Sequence, residues 1–496
     1  MTLFVFALII IVALGLVFLA RRGAISNSMD DIMKASGSFG PFLLFFVSVG
    51  EIYTIGTLLG VPGAVYSKGA NYGVWFFGYI LLAYVIGYFL NPAVWRMGQL
   101  AKAITVADII GWRYDSKVLQ IIVALIGIVF FIPLIQFQIT GMGIVFYYLD
   151  LGIDFTTSAI VGAMIAFSFI AVAGIRSSAY VAVLKDVLLI LAVAVIGIAA
   201  AVNMPGGVEG IFRTVANNMP QLLTVTSEPV TAGLTFTIST ILFQMMGFYV
   251  SPTNLQASMS SSSAKILRRN SIIMPLYMIM FPFLFIAAYY ALVAVTGLEK
   301  PDYALLAVAV KLLPGWVVGL VAGGAALTAI LFMAVAALAI SGLFSKNILK
   351  VIRPDMSEIQ LIWGARAMMA MSLTAGVLLA LFSPGLVANL LAMSYFGTTQ
   401  CVVPIVLGFL WKRATKQGIC AGLVVGVAVI FLITTVPYGI NKGAVALLIN
   451  LAVTVIVSLL TKQDGKVAKR FEDYHTVNLK KFAGENSKPV ASKVSV

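Results

Sequence analysis

Long apolar runs alternate with short polar segments along most of the chain. Runs of about 18 residues or more, the length that lets a helix cross a bilayer, begin near residues 2, 39, 70, 118, 153, 181, 233, 272, 314, 361, 388, 416 and 443. This pattern predicts an all-α integral membrane protein with about thirteen transmembrane helices. Beyond residue 461 the sequence is polar and poor in aromatic residues, which is typical of a mobile tail.

The composition agrees with a membrane protein and argues against an enzyme. Hydrophobic residues make up 61% of the chain and charged residues 10%, whereas soluble domains carry about 25% charged residues. The single histidine, His475, lies in the polar tail, and Cys401 and Cys420 lie in apolar runs, where they are expected to be small buried side chains. Because the sequence offers no His and Cys cluster for a metal and no phosphate-binding loop, we expect neither an enzyme nor a cofactor.

The distribution of basic residues predicts the topology, since cytoplasmic loops carry most lysines and arginines. With the N-terminus outside, only Lys68, Arg213, Lys300, Lys311 and Lys442 would lie on the outer side. We therefore predict a multi-pass protein of the cell (inner) membrane with a cytoplasmic C-terminus. The net charge of +14 follows from this topology, so the expected partner is the lipid bilayer and not a nucleic acid. A monomer and a weak homo-oligomer are both compatible with the sequence.

Glu51 is the one carboxylate that lies deep inside an apolar run, the segment from Phe39 to Tyr66. Gly56 and Pro62 interrupt the same run, which predicts a broken helix. A charged group near the bilayer centre costs several kcal/mol, about 3 on insertion scales, and usually marks an ion or substrate path. The alternative is that Glu51 accepts hydrogen bonds from backbone amides that the break leaves free.

A second interrupted run begins near residue 233, where Gly247 and Pro252 break the helical pattern. The two broken spans are five helices apart, and repeats with an odd number of helices lie in opposite orientations, as in many secondary transporters. The predicted organisation is an extra first span with its loop, two inverted repeats, two final spans and a polar cytoplasmic tail. Their boundaries are 1–38, 39–232, 233–411, 412–461 and 462–496. The glycines and prolines could also serve only kinks or close helix packing.

Several stretches of the sequence resemble the sodium:solute symporter family. They are Gly50-Glu51-Ile52-Tyr53-Thr54, Val61-Pro62-Gly63-Ala64-Val65-Tyr66 and Ala107-Asp108-Ile109-Ile110-Gly111-Trp112-Arg113-Tyr114. Others are similar to the bacterial monocarboxylate-permease branch, including Val183-Leu184-Lys185-Asp186, Arg268-Arg269-Asn270 and Leu343-Phe344-Ser345-Lys346-Asn347-Ile348. The resemblance covers roughly residues 1 to 460.

This resemblance implies a leucine-transporter-like fold of two inverted five-helix repeats, with one helix before them and two after. It also implies a secondary transporter that imports a small organic solute by alternating access, coupled to Na⁺ or H⁺. The expected solute is a monocarboxylate such as lactate, pyruvate or acetate. A membrane sensor, or an uncoupled carrier with a degenerate sodium site, is the alternative.

The resemblance also implies a cation site at the first break. By position, the family's sodium-binding carbonyls correspond to those of Val49 and Ile52, and its acidic residue corresponds to Glu51. We expect Glu51 to bind or relay the coupling cation.

The ninth span departs from the family pattern, in which a hydroxyl pair completes the sodium shell. After Ala334, the corresponding positions are Ala337 and Leu338, which offer no side-chain oxygen. A longer spacing places Leu331 and Phe332 there instead. The other hydroxyls of this span are those of Thr328 and Ser341, about one or two turns away. The sequence leaves coupling to Na⁺ and coupling to H⁺ open, because Na⁺ requires several oxygen ligands.

Polar residues beside the two breaks are the candidates for substrate binding: Tyr53, Thr54, Gln136, Gln138, Thr140 and Gln244. The glutamines and Thr140 could instead bridge helices through hydrogen bonds. Lys185 and Asp186 are expected to form a surface or gating pair near the cytoplasmic end of the sixth span. With no basic residue expected at midplane depth, a carboxylate would be held by backbone amides at a half-helix N-terminus. Thr253 stands where the similar permeases tend to have His.

Overall fold

The computed structural model describes residues 1–21, 28–149, 154–225, 233–295, 297–434 and 436–484. Almost all the regular structure in these ranges is helical, and the isolated β-bridge found there joins Phe39 to Ser261. The helices are α1 (Thr2–Arg21), α2 (Met29–Lys34), α3 (Pro41–Ile52), α4 (Val61–Lys68), α5 (Ala70–Ala101), α6 (Val106–Tyr114), α7 (Lys117–Tyr148), α8 (Phe155–Ala173), α9 (Ile175–Val202), α10 (Gly207–Asn218), α11 (Leu234–Gly247), α12 (Pro252–Met259), α13 (Ala264–Ile273), α14 (Phe281–Ala294), α15 (Ala304–Leu312), α16 (Gly315–Phe344), α17 (Lys350–Ile352), α18 (Glu358–Phe382), α19 (Val387–Thr398), α20 (Val402–Leu410), α21 (Lys416–Leu432), α22 (Lys442–Leu460) and α23 (Gly465–Gly484).

The helices confirm the prediction of an all-α membrane protein. In the described part of the chain, nine helices are long and apolar enough to cross a bilayer, and two bent pairs raise this to 11. The shorter apolar helices α8 and α21 would complete the predicted set. They lie near the lower end of the length range of spanning helices, so the count of thirteen stays a prediction.

Helix α16 forms the centre of the bundle. Of its most apolar stretch, 94% is buried inside the protein, and it packs against α1, α7, α8, α9 and α18. A helix that is apolar on every side belongs in such a position. Its many glycine and alanine residues let neighbouring backbones approach closely, so the predicted cation-site positions on α16 lie in the most crowded part of the molecule.

Both predicted helix breaks are present. Helix α3 ends at Tyr53, whose backbone N–H still bonds the Val49 carbonyl at 2.9 Å, and a π-helical turn over Gly56–Gly60 leads into α4 at an angle of 46°. Helix α11 is followed by a short 3₁₀ turn and by extended backbone at Ser251, and α12 then starts at Pro252 with a bend of 43°. Proline suits a first helical turn, where its missing N–H costs no hydrogen bond.

The ends of α6 and α16 are joined at the face of the bundle that carries most of the basic residues, called here the basic face. Asp108 of α6 accepts hydrogen bonds from Asn347 at 2.6 Å and from Lys346 at 3.0 Å. Thr105 caps α6 and donates its hydroxyl proton to Asn347 at 2.6 Å. The Asn347 contacts are buried, whereas the Lys346 side chain is 30% exposed. The bonds to the Asp108 carboxylate are charge-assisted and therefore among the stronger ones in proteins. Together they join α6 to the end of α16 at the basic face.

The C-terminal segment is more ordered than the sequence suggested. The prediction of a mobile tail is wrong for α23, which packs its apolar side against the basic face and buries Val467 and Tyr474. The fully buried Arg113 donates to the carbonyls of Gly408 at 2.5 Å and Val467 at 2.9 Å. Arg470 bonds Asp115 at 2.6 Å. The helix forms because its apolar residues share one face, a pattern that the polar average composition concealed.

Two surface ion pairs flank this docked helix. Lys416 and Lys412 lower the pKa values of Asp464 and Glu472 through hydrogen bonds and charge. Because these pKa values are lower in the docked state than in free side chains, the pairs favour docking at neutral pH. That contribution is lost as the pH falls below about 4 and the carboxylates become protonated. The pairs are exposed, so Arg113 and the apolar contacts carry most of the docking.

Truncation after Lys462 should lower the melting temperature of the purified protein by about 3 °C or more, because it removes the Val467 carbonyl and uncovers Arg113. Thermal unfolding in detergent would measure this shift. A matched truncation after Gly484 leaves α23 in place and should have no effect. Equal melting temperatures for both truncations would contradict the docking described here.

Candidate functional site

A small cavity lies between the two helix breaks at the centre of the bundle. Its volume, as space for water-sized groups, is about 40 Å³. That is room for a few such groups. Its polar lining comes from the first break, the second break, α5 and α19, through Glu51, Thr54, Thr57, Ser251, Thr253, Asn254, Tyr79, Ser394, Tyr395 and Thr398. Phe131, Leu134, Phe137, Phe248, Phe332, Leu391 and Ile52 form the apolar walls.

Glu51 brings a carboxylate to this cavity from the last turn of α3. The residue is 8% exposed, and the hydroxyl of Thr253 approaches its carboxylate as a hydrogen-bond donor. Among the residues that the structure describes, its Oε2 atom has no hydrogen-bond partner. An ionised carboxylate with an unpaired buried oxygen is costly. The group is therefore a ready acceptor for a cation, a proton or a donor on a bound solute.

The start of α12 forms the opposite side of the cavity. Ser251, Thr253 and Asn254 line the space, and backbone N–H groups in a first helical turn have no partner within their own helix. The helix dipole adds partial positive charge at this end. The cavity thus places the Glu51 carboxylate near the N-terminus of the half-helix α12. This arrangement suits a negatively charged solute group at the helix N-terminus and a cation at the carboxylate.

The predicted carbonyl ligands are partly engaged within the first break. The Val49 carbonyl accepts from the backbone N–H of Tyr53 at 2.9 Å, and the Ile52 carbonyl accepts from the hydroxyl of Thr57 at 3.3 Å. Both carbonyls keep a second lone pair, so these bonds do not prevent cation binding. Their role stays a prediction.

The ninth span, α16, lacks the hydroxyl pair that completes the sodium shell in the family pattern. Ala334, Ala337 and Leu338 are fully buried on α16 and offer no side-chain oxygen. Thr328 donates its hydroxyl to the carbonyl of Gly324, and Ser341 donates to Leu338, both at 2.6 Å. These two hydroxyls therefore point back along their own helix. In the longer register, the ring of Phe332 occupies the cavity wall instead.

Of the predicted substrate residues, the structure brings Thr54 to the cavity and turns others away. Tyr53 hydrogen-bonds Tyr84 between hydroxyls 2.9 Å apart, and its ring packs 4.3 Å from that of Tyr277. Gln244 accepts from the indole N–H of Trp75 at 2.7 Å. Residues that follow each other at a helix end point in different directions, which separates Thr54 from Tyr53.

Gln136 and Thr140 lie away from the cavity; Gln136 fits the alternative of a helix bridge, whereas Thr140 bonds within its own helix. The Gln136 amide donates to the carbonyls of Leu379 at 3.2 Å and Ser383 at 2.6 Å, at the end of α18. Thr140 donates its hydroxyl to the Gln136 carbonyl at 3.1 Å. Gln136 thus satisfies the Ser383 carbonyl beyond the end of α18 and adds a second bond to the Leu379 carbonyl.

Gln138 differs from Gln136 because it has no such partner. It is fully buried, and neither polar atom of its side chain has a hydrogen-bond partner in the described part of the chain. It shares a face of α7 with Phe131 and Leu134, which line the cavity one and two turns away. Gln138 stays a candidate for the solute site.

Lys185 and Asp186 form a buried ion pair, so the expectation of a surface pair is wrong. Their side chains are 1% and 0% exposed, and the Nζ and Oδ1 atoms lie 2.6 Å apart. Lys185 also donates to the carbonyl of Tyr53 at 3.0 Å, and the hydroxyl of Tyr277 approaches Asp186 at 3.3 Å. Helix α9 starts at Ile175, which places Lys185 about 15 Å along the helix. The apolar run begins only near residue 181, so the sequence pattern placed Lys185 close to the helix start and not at this depth.

A larger pocket opens at the face opposite the basic face. It is lined by Thr140, Asp154 and Lys300, among others. Asp302 lies at its edge, where it accepts from the backbone N–H of Val387 at 3.2 Å. A Cβ atom on Gly63 of α4 would come within 2.7 Å of Asp302. Glycine is therefore required for this close approach between α4 and the pocket wall.

The fold is shared with solved transporter structures. The chain is similar to a Na⁺-coupled sialic acid symporter in its substrate-bound outward-open state, with a TM-score of 0.75 and 16% identity over 93% of this chain and 99% of the other. It is also similar to Mhp1 in an inward-facing conformation, with a TM-score of 0.56 and 13% identity over 88% and 95% of the two chains. These likenesses identify the leucine-transporter-like fold.

The family follows from the sequence comparisons. Residues 33–426 match the model of the sodium:solute symporter family, and the chain belongs to this family of membrane transporters. It is 32% identical to the uncharacterized symporter YhjB of Bacillus subtilis over 92% of this chain and 97% of that protein. It is 25% identical to the monocarboxylate transport permease protein of Rhizobium johnstonii, over 93% and 96% of the two chains.

Replacing Thr253 with Val should lower the melting temperature by about 2 °C or more, because it removes a donor from the buried Glu51 carboxylate. In a Glu51→Ala background the same change should have little effect, since the two residues then no longer interact. Thr374→Val is the matched control, because that hydroxyl only bonds Ala370 on an exposed face of α18. Equal shifts in both backgrounds would argue against the contact.

Proposed function

We propose that this protein is a secondary active transporter that imports a small monocarboxylate, such as lactate, pyruvate or acetate, together with Na⁺ or H⁺. Alternating access would take place around the two broken spans, α3 with α4 and α11 with α12. The observation that carries the proposal is the position of Glu51, a buried carboxylate with one oxygen unpartnered among the described residues, on a small cavity between both breaks.

The size of the cavity supports a small solute. Room for only a few water-sized groups matches a molecule of a few heavy atoms. The aromatic walls, Phe131 and Phe137 among them, suit a short apolar tail. The match to a relative named as a monocarboxylate transport permease supports the same class of solute.

The charges around the cavity support coupled binding of an anion and a cation. In the described ranges, no lysine or arginine side chain lines the cavity, so a solute carboxylate would be held by the N-terminus of α12 and nearby hydroxyls. Glu51 would repel that anion unless a cation or a proton neutralised it. Solute binding and cation binding would then favour each other, which is the energetic basis of symport.

The orientation in the membrane is proposed from the same charges. The basic face, with Arg113, Lys346 and Lys412, would lie in the cytoplasm, and the pocket beside Asp302 would open to the outside.

Glu51→Gln should reduce concentrative uptake about tenfold or more, because a neutral amide neither attracts a cation nor carries a proton. The measurement is uptake of radiolabelled lactate, pyruvate and acetate into proteoliposomes, driven in separate runs by Na⁺ and H⁺ gradients. Glu209→Gln is the matched control, because Glu209 is exposed on α10 and pairs only with Arg213.

Normal accumulation by Glu51→Gln would remove Glu51 from the coupling mechanism. No uptake of any of the three solutes by the unmodified protein, under either gradient, would contradict the proposed solute class. Flux without accumulation would identify an uncoupled carrier.

A further inference from the structure

The sodium shell that the family implies is incomplete in this chain, yet the first break still holds carbonyl groups inside the membrane. Ala337 and Leu338 supply no hydroxyl oxygen, and the hydroxyls of Thr328 and Ser341 bond their own helix. Backbone carbonyls and carboxylates at this depth require hydrogen-bond donors or cations from within the protein. The structure contains such a cation beside the break.

The ammonium of Lys185 lies against the last turn of α3. Its Nζ atom donates to the carbonyl of Tyr53 at 3.0 Å, directly at the break. A Cβ atom on Gly50 would be 3.6 Å from the same Nζ. Gly50 lies between Val49 and Ile52, the two positions that correspond to the family's sodium carbonyls. The ammonium therefore lies beside the turn in which relatives would bind sodium.

Two carboxylates face this lysine. Asp186 bonds its ammonium at 2.6 Å, and Glu51 is close enough for Lys185 to stabilise the charged carboxylate. An ammonium has three protons to donate, and two of them are used by Tyr53 and Asp186. A buried charge persists only when it is paired in this way. The side chain is thus held as a cation between the break and two carboxylates.

We propose that the ammonium of Lys185 is a built-in cation that takes the place of bound sodium at the first helix break. A second monovalent cation at the same place would meet steric exclusion and like-charge repulsion from the ammonium, part of which Asp186 offsets, so its binding there is weakened. The consequence for transport, that a Na⁺ gradient would not drive uptake, rests on the proposed function. The occupancy of the site itself can be tested without any solute.

The test compares the melting temperature of the purified protein in sodium, ammonium and choline chloride at equal ionic strength. A ligand that binds only the folded protein raises the melting temperature in a saturable way. The unmodified protein should melt at the same temperature in all three salts. Lys185→Ala should melt lower in choline chloride and recover by about 2 °C or more in sodium or ammonium chloride, because a small cation can enter the vacated space.

Two variants separate a cation role from a purely structural one. Lys346→Ala removes a lysine that also pairs with a buried carboxylate, Asp108, and should lose stability equally in all three salts. Lys185→Arg keeps the charge and should remain insensitive to the salt. If Lys185→Ala does not fold, Lys185→Gln is measured in its place with the same expected recovery.

Saturable stabilisation of the unmodified protein by sodium over choline would overturn the proposal, and so would loss of stability in Lys185→Ala or Lys185→Gln without recovery in either small cation. Uptake measurements distinguish this failure from failure of the proposed function. Uptake driven by a Na⁺ gradient would support transport and contradict the role of Lys185. A third outcome is that melting of the unmodified protein is insensitive to the salt and the variant recovers, but no uptake occurs. That outcome would support the role of Lys185 and contradict the proposed solute.

Discussion

Backbone groups that a broken helix exposes inside a bilayer must find their partners within the protein, and the arrangement of this bundle follows from that constraint. At the first break, Thr54, Thr57 and Lys185 supply those partners. Each contact holds the end of α3 in a fixed position. The cavity exists because the remaining groups of the two breaks face each other across a small space and not toward lipid.

The same constraint explains why polar residues at depth fall into two kinds. Gln136 binds backbone carbonyls of a neighbouring helix and so joins helices. Glu51 and Gln138 retain polar atoms with no partner among the described residues. Gln244, although it accepts from Trp75, keeps an amide nitrogen with no partner among the same residues. Hydrogen-bonded residues stabilise one arrangement, whereas unpaired ones gain most from a ligand. A functional candidate is therefore better identified by a polar atom that has no hydrogen-bond partner than by its depth in the membrane.

The two faces of the bundle are built differently. At the basic face, Asp108, Arg113 and the docked helix α23 form a buried, charge-assisted network. At the opposite face, a wide pocket reaches down to Asp302 and the close contact with Gly63. A transporter of this fold must open each face in turn, and the contacts at the basic face would then have to break and form again.

The sequence by itself determined the membrane class, the two breaks and the depth of Glu51, because hydrophobic run length and Gly or Pro interruptions act locally along the chain. It also identified the missing hydroxyls of α16. The tertiary structure decided which side chains meet: Thr253 at Glu51, Tyr53 away from the cavity, and Lys185 at the break. These outcomes depend on where each helix starts and which way it faces, since one residue turns a side chain by about 100°. Only packing fixes that rotation.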